Sequence, residues 1–171
     1  MITFHTAKED DATKIAHLRQ KIWSSTYRGI YSDEMIDHFN YEWHETKDRN
    51  RIQNENYHVY VIEDGEKHEE KQIGYFTFSE RPKPLYKDYH IRLDSLYVLP
   101  EYQRQGIGTM AFTIIHDYCS MKGIHKFYLE CHPENERGMA FYKRMGGIIG
   151  KQDCSRQNNE ENSVWFEYTL V

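Results

Sequence analysis

Two kinds of hydrophobic periodicity divide the chain into short segments. Segments in which apolar and polar residues alternate, or in which β-branched and aromatic residues dominate, predict β-strands. These segments lie at 2–7, 57–63, 72–80, 89–98, 126–131, 147–152 and 163–170. Segments in which apolar residues recur every three or four positions predict helices. These lie at 8–28, 31–40, 41–54, 106–122 and 135–145.

The order of these segments predicts one mixed α/β domain over residues 1–171, of the α+β kind, with a mostly antiparallel twisted sheet flanked by helices. Asp64-Gly65 indicates the turn of a hairpin at 64–71, between the second and third strands. A helix separates Tyr89–Val98 from Lys126–Cys131, so these two strands are expected to run parallel.

Helix faces and ends follow from the same spacing. The helix at 106–122 is expected to bury one face and to end at Gly123. That face comprises Ile107, Met110, Ala111, Ile114, Ile115, Tyr118 and Met121. In the helix at 31–40, Ser32 predicts an N-cap. The inward residues of this helix are expected to be Met35, Ile36 and Phe39.

Composition narrows the class of protein. The 171 residues are 29% charged, with a net charge of -5 and a pI of about 6.1, which argues against non-specific nucleic-acid binding. The sequence has no apolar run of about 18 residues that would span a bilayer. The first residues lack the basic and then apolar pattern of a signal peptide. A cytoplasmic location without membrane association is therefore expected.

Cysteine and histidine spacing gives no sign of a structural site. The three cysteines are widely separated and form no CxxC motif, which argues against a disulfide framework. None of the ten histidines stands in an HxxxH pair or near a cysteine at zinc-finger spacing. No metal is therefore expected, because structural zinc sites usually have such pairs.

The segment "VLPEYQRQGIG", residues 98–108, is the strongest candidate for chemistry. Pro100 ends a strand, and Gly106 and Gly108 open the following helix. Free N–H groups at a helix start favour a phosphate, glycines permit its close approach, and Arg104 can add a charged contact. Neither the Walker nor the Rossmann fingerprint is present. From the residues alone, a phosphate cradle and a plain helix-opening turn are equally open.

Two segments resemble the GNAT superfamily of N-acetyltransferases. "VLPEYQRQGIGTM" follows the family's acyl-CoA pyrophosphate loop, V-x-P-x-x-[QR]-x-x-G-x-[GA], at Val98, Pro100, Gln103, Gly106 and Gly108. "NERGMAFYKRMGG" resembles the N-x-x-A-x-x-F-Y-x-x-x-G-[FG] segment at Asn135, Phe141, Tyr142 and Gly146. The second segment departs at Gly138, where Ala is usual, and at Gly147, where Phe is usual. The order of strands and helices suits the family along essentially the whole chain.

The resemblance implies acetyl-CoA as co-substrate and a sheet that splays between its fourth and fifth strands. The gap would take the pantetheine arm, and the N–H of Val98 would polarise the thioester carbonyl. Backbone N–H groups from Arg104 to Thr109 would hold the pyrophosphate. The full set implied for the cofactor is Tyr97, Val98, Gln103, Arg104, Gln105, Gly106, Ile107, Gly108, Thr109, Asn135 and Tyr142.

Acetyl transfer to an amine needs a base and an acid. Asp94, an acid in an otherwise apolar strand, is the candidate base. A solvated strand acid is the alternative, and a β-bulge near the splay would change the face on which Asp94 lies. Tyr142 matches the family's phenol near the sulfur and is the candidate acid, with a core-filling ring as the alternative. Asn135 would bind the cofactor, cap the helix that begins at Glu136, or do both.

The acceptor is the least defined part of the predicted site. "IWSSTYRGIYSDEMID" resembles the substrate-side helices of a subgroup that includes bacterial polyamine acetyltransferases. The candidate substrate residues are Trp23, Tyr27, Tyr31 and Asp33, because aromatic faces beside acids suit a cation. Glu34, Asp37 and Glu130 are further candidates. A small, polyamine-like amine acceptor is expected, and no nucleic acid.

Three alternatives to a small-amine acetyltransferase are open at this level. They are acetylation of a protein or peptide N-terminus, a non-catalytic acyl-CoA sensor on the same fold, and a nucleotide-binding interaction module. The missing Walker and Rossmann fingerprints weigh against the module. Members of the family are often dimers, so a homodimer is a further expectation.

Overall fold

The computed structural model describes residues 1–66, 72–155 and 157–170. Within these ranges seven strands form one sheet in the order β1-β2-β3-β4-β5-β7-β6. The strands are β1 (Ile2–Thr6), β2 (Tyr57–Asp64), β3 (Gln72–Glu80), β4 (Ile91–Val98), β5 (Lys126–Cys131), β6 (Ile148–Asp153) and β7 (Ser163–Thr169). The helices are α1 (Asp11–Thr26), α2 (Asp33–Asp37), α3 (Tyr41–Gln53), α4 (Ile107–Lys122) and α5 (Glu136–Arg144).

The sheet is antiparallel except where β4 meets β5. These two strands run parallel, as predicted, with α4 crossing between them. They pair only at Ile91–Leu93, opposite Phe127–Leu129. From Ser95 to Val98, β4 pairs with β3 alone, so the sheet is open beyond Leu93. The splay predicted between the fourth and fifth strands is confirmed, and β7 lies between β5 and β6.

A β-bulge interrupts β4 at the point where it leaves β5. Leu93 lies opposite Phe78 and Ser95 lies opposite Thr77, so Asp94 has no residue opposite it on β3. One extra residue reverses the alternation of the strand and increases its local twist. Asp94 therefore lies on the side of the sheet where α1 and α3 pack, although simple alternation would have placed it with Leu96.

Helix α4 covers the other side of the sheet, and its buried stripe differs from the predicted one. The stripe consists of Ile107, Ala111, Phe112, Ile115 and Cys119. Ile114 and Tyr118 are partly buried beside it. Met110 and Met121 were predicted to face the core and are 46% and 80% exposed. The helix packs along its i, i+4 rows, which leaves both methionines on the outer flank.

The helix ends follow the predicted signals. The Ser32 hydroxyl accepts the N–H of Met35 and caps α2. Gly123 ends α4 in the left-handed conformation. Ile36 and Phe39 are buried as expected, but Met35 is exposed, because a five-residue helix turns too little of its surface toward the core. Among the residues that the structure describes, no helix is long and apolar enough to cross a bilayer. Of the predicted hairpin turn, 67–71 lie outside the described residues.

Candidate active site

A cleft of about 880 Å³ opens where β4 and β5 separate. Its walls come from β4, β5, the loop before α4, the start of α4, helix α5 and the end of α1. Both sequence motifs therefore line one cavity, as the resemblance implied. Of the residues predicted for the cofactor, only Gln105 does not line this cleft; its side chain donates to the carbonyl of Glu101 at 3.1 Å.

The loop before α4 presents backbone N–H groups to the cleft. Gly106 is the N-cap of α4 with φ of 80°, and no side chain caps this helix start. Arg104 also has a positive φ, of 63°, which turns the chain into the helix. The first N–H groups of an α-helix have no intrahelical partner, and the helix dipole makes this end favourable for an anion. The geometry suits a phosphate, as the glycine pattern predicted.

Gly108 leaves room for a side chain of α5. That its missing Cβ also lets a phosphate approach the backbone stays a prediction. In the structure, a Cβ on Gly108 would lie 2.7 Å from Cζ of Phe141. The ring of α5 thus occupies the space beside Gly108, and the glycine permits the packing of α5 against the start of α4. A Cβ on Gly106 would have no atom within 4 Å, so there the requirement is the positive φ.

The backbone of Val98 faces the gap. Leu99 donates its N–H to the carbonyl of Ile73 on β3 at 2.9 Å. Since successive residues of a strand direct their amides to opposite edges, the N–H of Val98 points away from β3, toward the open side. The carbonyl of Val98 on that edge accepts the side-chain amide of Gln103 at 3.1 Å. The N–H of Val98 is thus directed toward the cleft.

The second motif builds the opposite wall. The Asn135 side chain accepts the N–H of Gly138 at 3.0 Å, which confirms its N-cap role for α5. A Cβ on Gly138 would lie 2.7 Å from that side chain, so glycine suits the capped conformation better than the usual alanine. Gly147 leaves room for the hydroxyl of Tyr168, which donates to the carbonyl of Tyr142 at 2.9 Å. Both departures from the family pattern therefore have local packing reasons.

Tyr142 lies in the cleft wall beside Phe112 and Phe166. Burial, and then the neighbouring Cys131 and Tyr97, raise the pKa of its phenol well above 10. Its hydroxyl makes no hydrogen bond with a described residue. The side chain is therefore a protonated phenol whose donor is available at the cleft.

Asp94 also lines the cleft, and its side chain is only 3% exposed. One carboxylate oxygen lies 3.4 Å from Arg81 and 3.7 Å from Arg92. The other oxygen, Oδ2, is buried and has no partner among the described residues. Asp94 is therefore a buried carboxylate with one unpaired oxygen. The alternative prediction of a solvated strand acid is wrong.

The predicted substrate residues separate into two groups. Tyr27 lines the cleft and stacks on Tyr31, with ring centres 4.4 Å apart. Trp23 makes edge-to-face contacts with both rings. Asp33 is 75% exposed and is held by Arg28 at 3.0 Å. Asp33 therefore lies on the outer surface of α2, away from the residues that line the cleft.

Two arginines at the edge of the site were not predicted. Arg81 and Arg92 contact Asp94, and Arg92 also pairs with Glu130 at 3.2 Å. A third arginine, Arg19 on α1, is buried in the core, where it makes two hydrogen bonds to the buried Asp48 of α3 and one to the hydroxyl of Tyr75. Neither spacing nor motif marks these arginines in the sequence, because tertiary packing alone brings each to its partners.

Metal ligands were searched for in the described ranges. There, no group of three or more His, Cys, Asp or Glu side chains lies close enough to hold an ion.

A mixed sheet that opens between two parallel strands, with a glycine-opened helix at the gap, defines the class of protein. The model of the acetyltransferase (GNAT) family matches residues 15–147, which is most of the chain. The chain therefore belongs to the GNAT family.

Similarity to individual proteins is lower. Bovine (Bos taurus) thialysine N-epsilon-acetyltransferase is 32% identical over 74 residues, a stretch that covers 43% of this chain and 41% of the bovine protein. PaiA N-acetyltransferase from Thermoplasma acidophilum, solved with coenzyme A, has a TM-score of 0.78 at 21% identity over 99% of both chains. Spermidine N-acetyltransferase from Vibrio cholerae, solved with CoA and spermine, has a TM-score of 0.67 at 17% identity over 99% of this chain and 95% of the other. A chimera of the Vibrio cholerae enzyme with hSSAT has a TM-score of 0.69 at 17% identity over 98% of this chain and 95% of the other. The structural likenesses show the fold.

Proposed function

We propose that this protein transfers the acetyl group of acetyl-CoA to a primary amine of a small acceptor by direct attack. The observation that carries the proposal is the cleft itself. It brings together an uncapped helix start, a strand N–H directed into a gap, a phenol and a buried carboxylate. These are the groups that the reaction needs. The two motifs supply all of them except the carboxylate, which comes from the bulge of β4.

The cofactor would lie across the open edge of β4. Residues from Arg104 to Thr109 would bind the pyrophosphate through backbone N–H groups at the start of α4. The pantetheine arm would enter the gap beyond Leu93, where β4 lacks a neighbouring strand on one side. The thioester carbonyl would then accept the N–H of Val98, which stabilises the oxyanion as it forms.

The reaction needs two proton transfers. The acceptor nitrogen attacks the thioester carbon and gives up a proton to Oδ2 of Asp94, directly or through one water. The tetrahedral intermediate collapses, the C–S bond breaks, and the thiolate takes a proton from the hydroxyl of Tyr142. The proton held by Asp94 then passes through water to the Tyr142 phenolate, which restores both groups. The products are the N-acetylated amine and CoA. Burial raises the pKa of Tyr142, so the phenol is protonated when the reaction begins.

A small amine is the acceptor class that the cleft supports best. The ring of Tyr27 lines the cleft and is backed by the stacked ring of Tyr31, which suits a slender alkyl amine. The similar proteins named for thialysine and for spermidine also point to an amine on a flexible chain. A polyamine-like acceptor and a peptide N-terminus both belong in the same assay.

The test measures CoA release from acetyl-CoA with a thiol reagent. The acceptors are polyamines, aminoglycosides, amino acids and peptide N-termini, and calorimetry measures the binding of acetyl-CoA. We expect binding, and release with at least one small amine. Binding without release by any acceptor would support the sensor instead, and absence of binding would exclude both functions.

A further inference from the structure

The structure has a second basin, of about 500 Å³. One side of α3 and the first residue of β2 form it. Its main lining residues are Trp43, Lys47, Asn50, Arg51, Asn54 and Tyr57. None of them belongs to either family motif, and the basin contains no acidic side chain.

The cations of this basin have no ion-pair partner among the described residues, although the carboxylates of Asp48 and Asp94 act on Lys47 from farther away. Among the described residues, neither Lys47 nor Arg51 forms an ion pair. Burial, and then the charges of Arg51 and Arg19, lower the pKa of Lys47. Two like charges at this separation repel each other, and a bound anion would relieve that repulsion.

Aromatic rings hold the cations in fixed positions. The ammonium of Lys47 lies 4.6 Å from the ring of Trp43, which is 55% exposed. The guanidinium carbons of Arg51 and Arg81 lie 5.4 and 5.7 Å from the centre of the Tyr57 ring. Cation–π contacts of this kind orient the charged group without consuming its hydrogen-bond donors. The donors therefore remain available to a ligand.

Arg81 connects the basin to the cleft. One of its terminal nitrogens lies 3.4 Å from the hydroxyl of Tyr57 and 3.4 Å from the carboxylate of Asp94. Tyr57 lines the basin and Asp94 lines the cleft. Arg81 thus contacts one residue of each cavity, and Lys47 of the basin is close enough to Asp94 for the charge of that carboxylate to act on it.

We infer that the acceptor is an amine that carries an anionic group, a carboxylate or a phosphate, at the far end of its chain. Lys47 and Arg51 bind that group, and the amine extends to Asp94. This inference rests on the proposed function and specifies its substrate class. It also excludes simple polyamines as the preferred acceptors, because their second ammonium would be placed among cations.

The experiment compares acceptors that share one amine and one chain length. An ω-amino carboxylate, an ω-aminoalkyl phosphate, the neutral ω-amino amide and the matching diamine are assayed for CoA release. We expect kcat/KM for one of the two anionic acceptors to exceed that for the amide and the diamine by about tenfold or more, the worth of a charge-assisted hydrogen bond. The better of the two anions identifies which group the basin accepts.

Variants of α3 test where the anion binds. Arg51→Gln and Lys47→Gln should each lower kcat/KM for the anionic acceptor about tenfold and leave the amide unchanged. Arg49→Gln is the matched control. Arg49 lies on the same helix, pairs with Glu45 and Glu9, and does not line the basin, so both acceptors should keep their rates.

Two results would overturn the inference. The first is a kcat/KM for the diamine or the amide that equals the kcat/KM for the anionic acceptors. The second is a loss of kcat/KM in Arg51→Gln that is equal for all acceptors. Calorimetry of the ω-amino carboxylate and the aminoalkyl phosphate with the CoA-saturated protein gives a readout without turnover. If no acceptor releases CoA, the proposed function fails. If the wild type then binds either anionic compound and Arg51→Gln does not, the anion site is still established. If the wild type binds neither compound, the anion site is excluded.

Discussion

The ring of Phe141 fills the space that a side chain on Gly108 would occupy, with Cζ only 2.7 Å from the position of a Cβ. Gly108 belongs to the first turn of α4, and Phe141 belongs to α5. The contact therefore joins the two motifs that line the cleft. It fixes the distance between the proposed pyrophosphate site and the helix that carries Tyr142.

Gly108→Ala should destabilise the protein by about 1–3 kcal/mol, because the Phe141 ring must move. It should also weaken acetyl-CoA binding, since the start of α4 shifts with it. Urea unfolding and calorimetry measure the two effects. Gly106→Ala is the matched control, with a backbone cost of about 1 kcal/mol and no steric contact. Phe141→Leu should partly offset the loss of stability caused by Gly108→Ala and should not offset the loss caused by Gly106→Ala. Strictly additive changes in the free energy of unfolding for Phe141→Leu and Gly108→Ala would contradict the proposed contact.

Tyr142→Phe should lower kcat about 100-fold and leave the Kd for acetyl-CoA nearly unchanged, because the phenol acts only when the thiolate leaves. Steady-state kinetics and calorimetry separate the two quantities. Tyr168→Phe is the control, since it removes a neighbouring phenol whose hydroxyl only supports the carbonyl of Tyr142. That change should cost about 1 kcal/mol of stability with little loss of kcat. An unchanged kcat in Tyr142→Phe would remove the residue from the mechanism.

Asp94→Asn should lower kcat/KM about 100-fold, because the amide cannot take the proton of the amine. The pH profile distinguishes this role from a structural one. As the pH is raised, the rate of the wild type should reach its plateau below the pKa of the free amine. The rate of the variant should keep rising until the pH reaches that pKa, since without the base only the neutral amine reacts. Glu167→Gln changes another carboxylate on the sheet, held by Tyr86, and should leave the profile unaltered.

Asp48→Ala should destabilise the protein by about 3–5 kcal/mol, because it leaves the buried guanidinium of Arg19 without its carboxylate. Chemical denaturation measures the loss. Glu45→Ala on the same helix removes a solvent-accessible partner of Arg49 and should cost much less than Asp48→Ala, because solvent screens that pair. Equal losses in the two variants would contradict a special role for the buried pair.

Acid should weaken the packing of α3 through His44. Burial, and then the charges of Arg19, Lys47 and Arg51, lower the pKa of His44 from 6.5 to about 4. Between those values the unfolded chain binds a proton that the folded protein does not, so stability falls as the pH drops through this window. His44→Gln should retain about 1 kcal/mol more of its free energy of unfolding than the wild type does on going from about pH 7 to about pH 5. Parallel losses in the two proteins would rule out His44 as the cause.

Local sequence patterns predicted the elements that have clear boundaries. Both β3 and β5 occupy the predicted residues, because turn-forming residues bound each apolar run. β4 begins at Ile91 where Tyr89 was expected, because Tyr89 donates its N–H to Tyr86 in a turn. The exposed methionines of α4 could not be anticipated, since the orientation of a helix depends on the surface it covers.

The parts of the site that are formed by one continuous stretch of chain could be predicted from the sequence. The parts that depend on contacts between distant elements could not. The loop, the helix start and the cap at Asn135 each have a local signature. The bulge at Asp94 has none, and it determines the face on which that carboxylate lies. Lys47 and Arg51 lie on α3 and Arg81 follows β3, so no spacing in the sequence links them to Asp94.

The short pairing of β4 with β5 has a mechanical consequence. In the described structure, β1–β4 and β5–β7 are two half-sheets that share three residue pairs along one seam. A pantetheine chain bonded to both edges would supply the missing rungs of that seam. The co-substrate would then stiffen the protein as well as react in it, and each release of CoA would loosen the seam again before the next turnover.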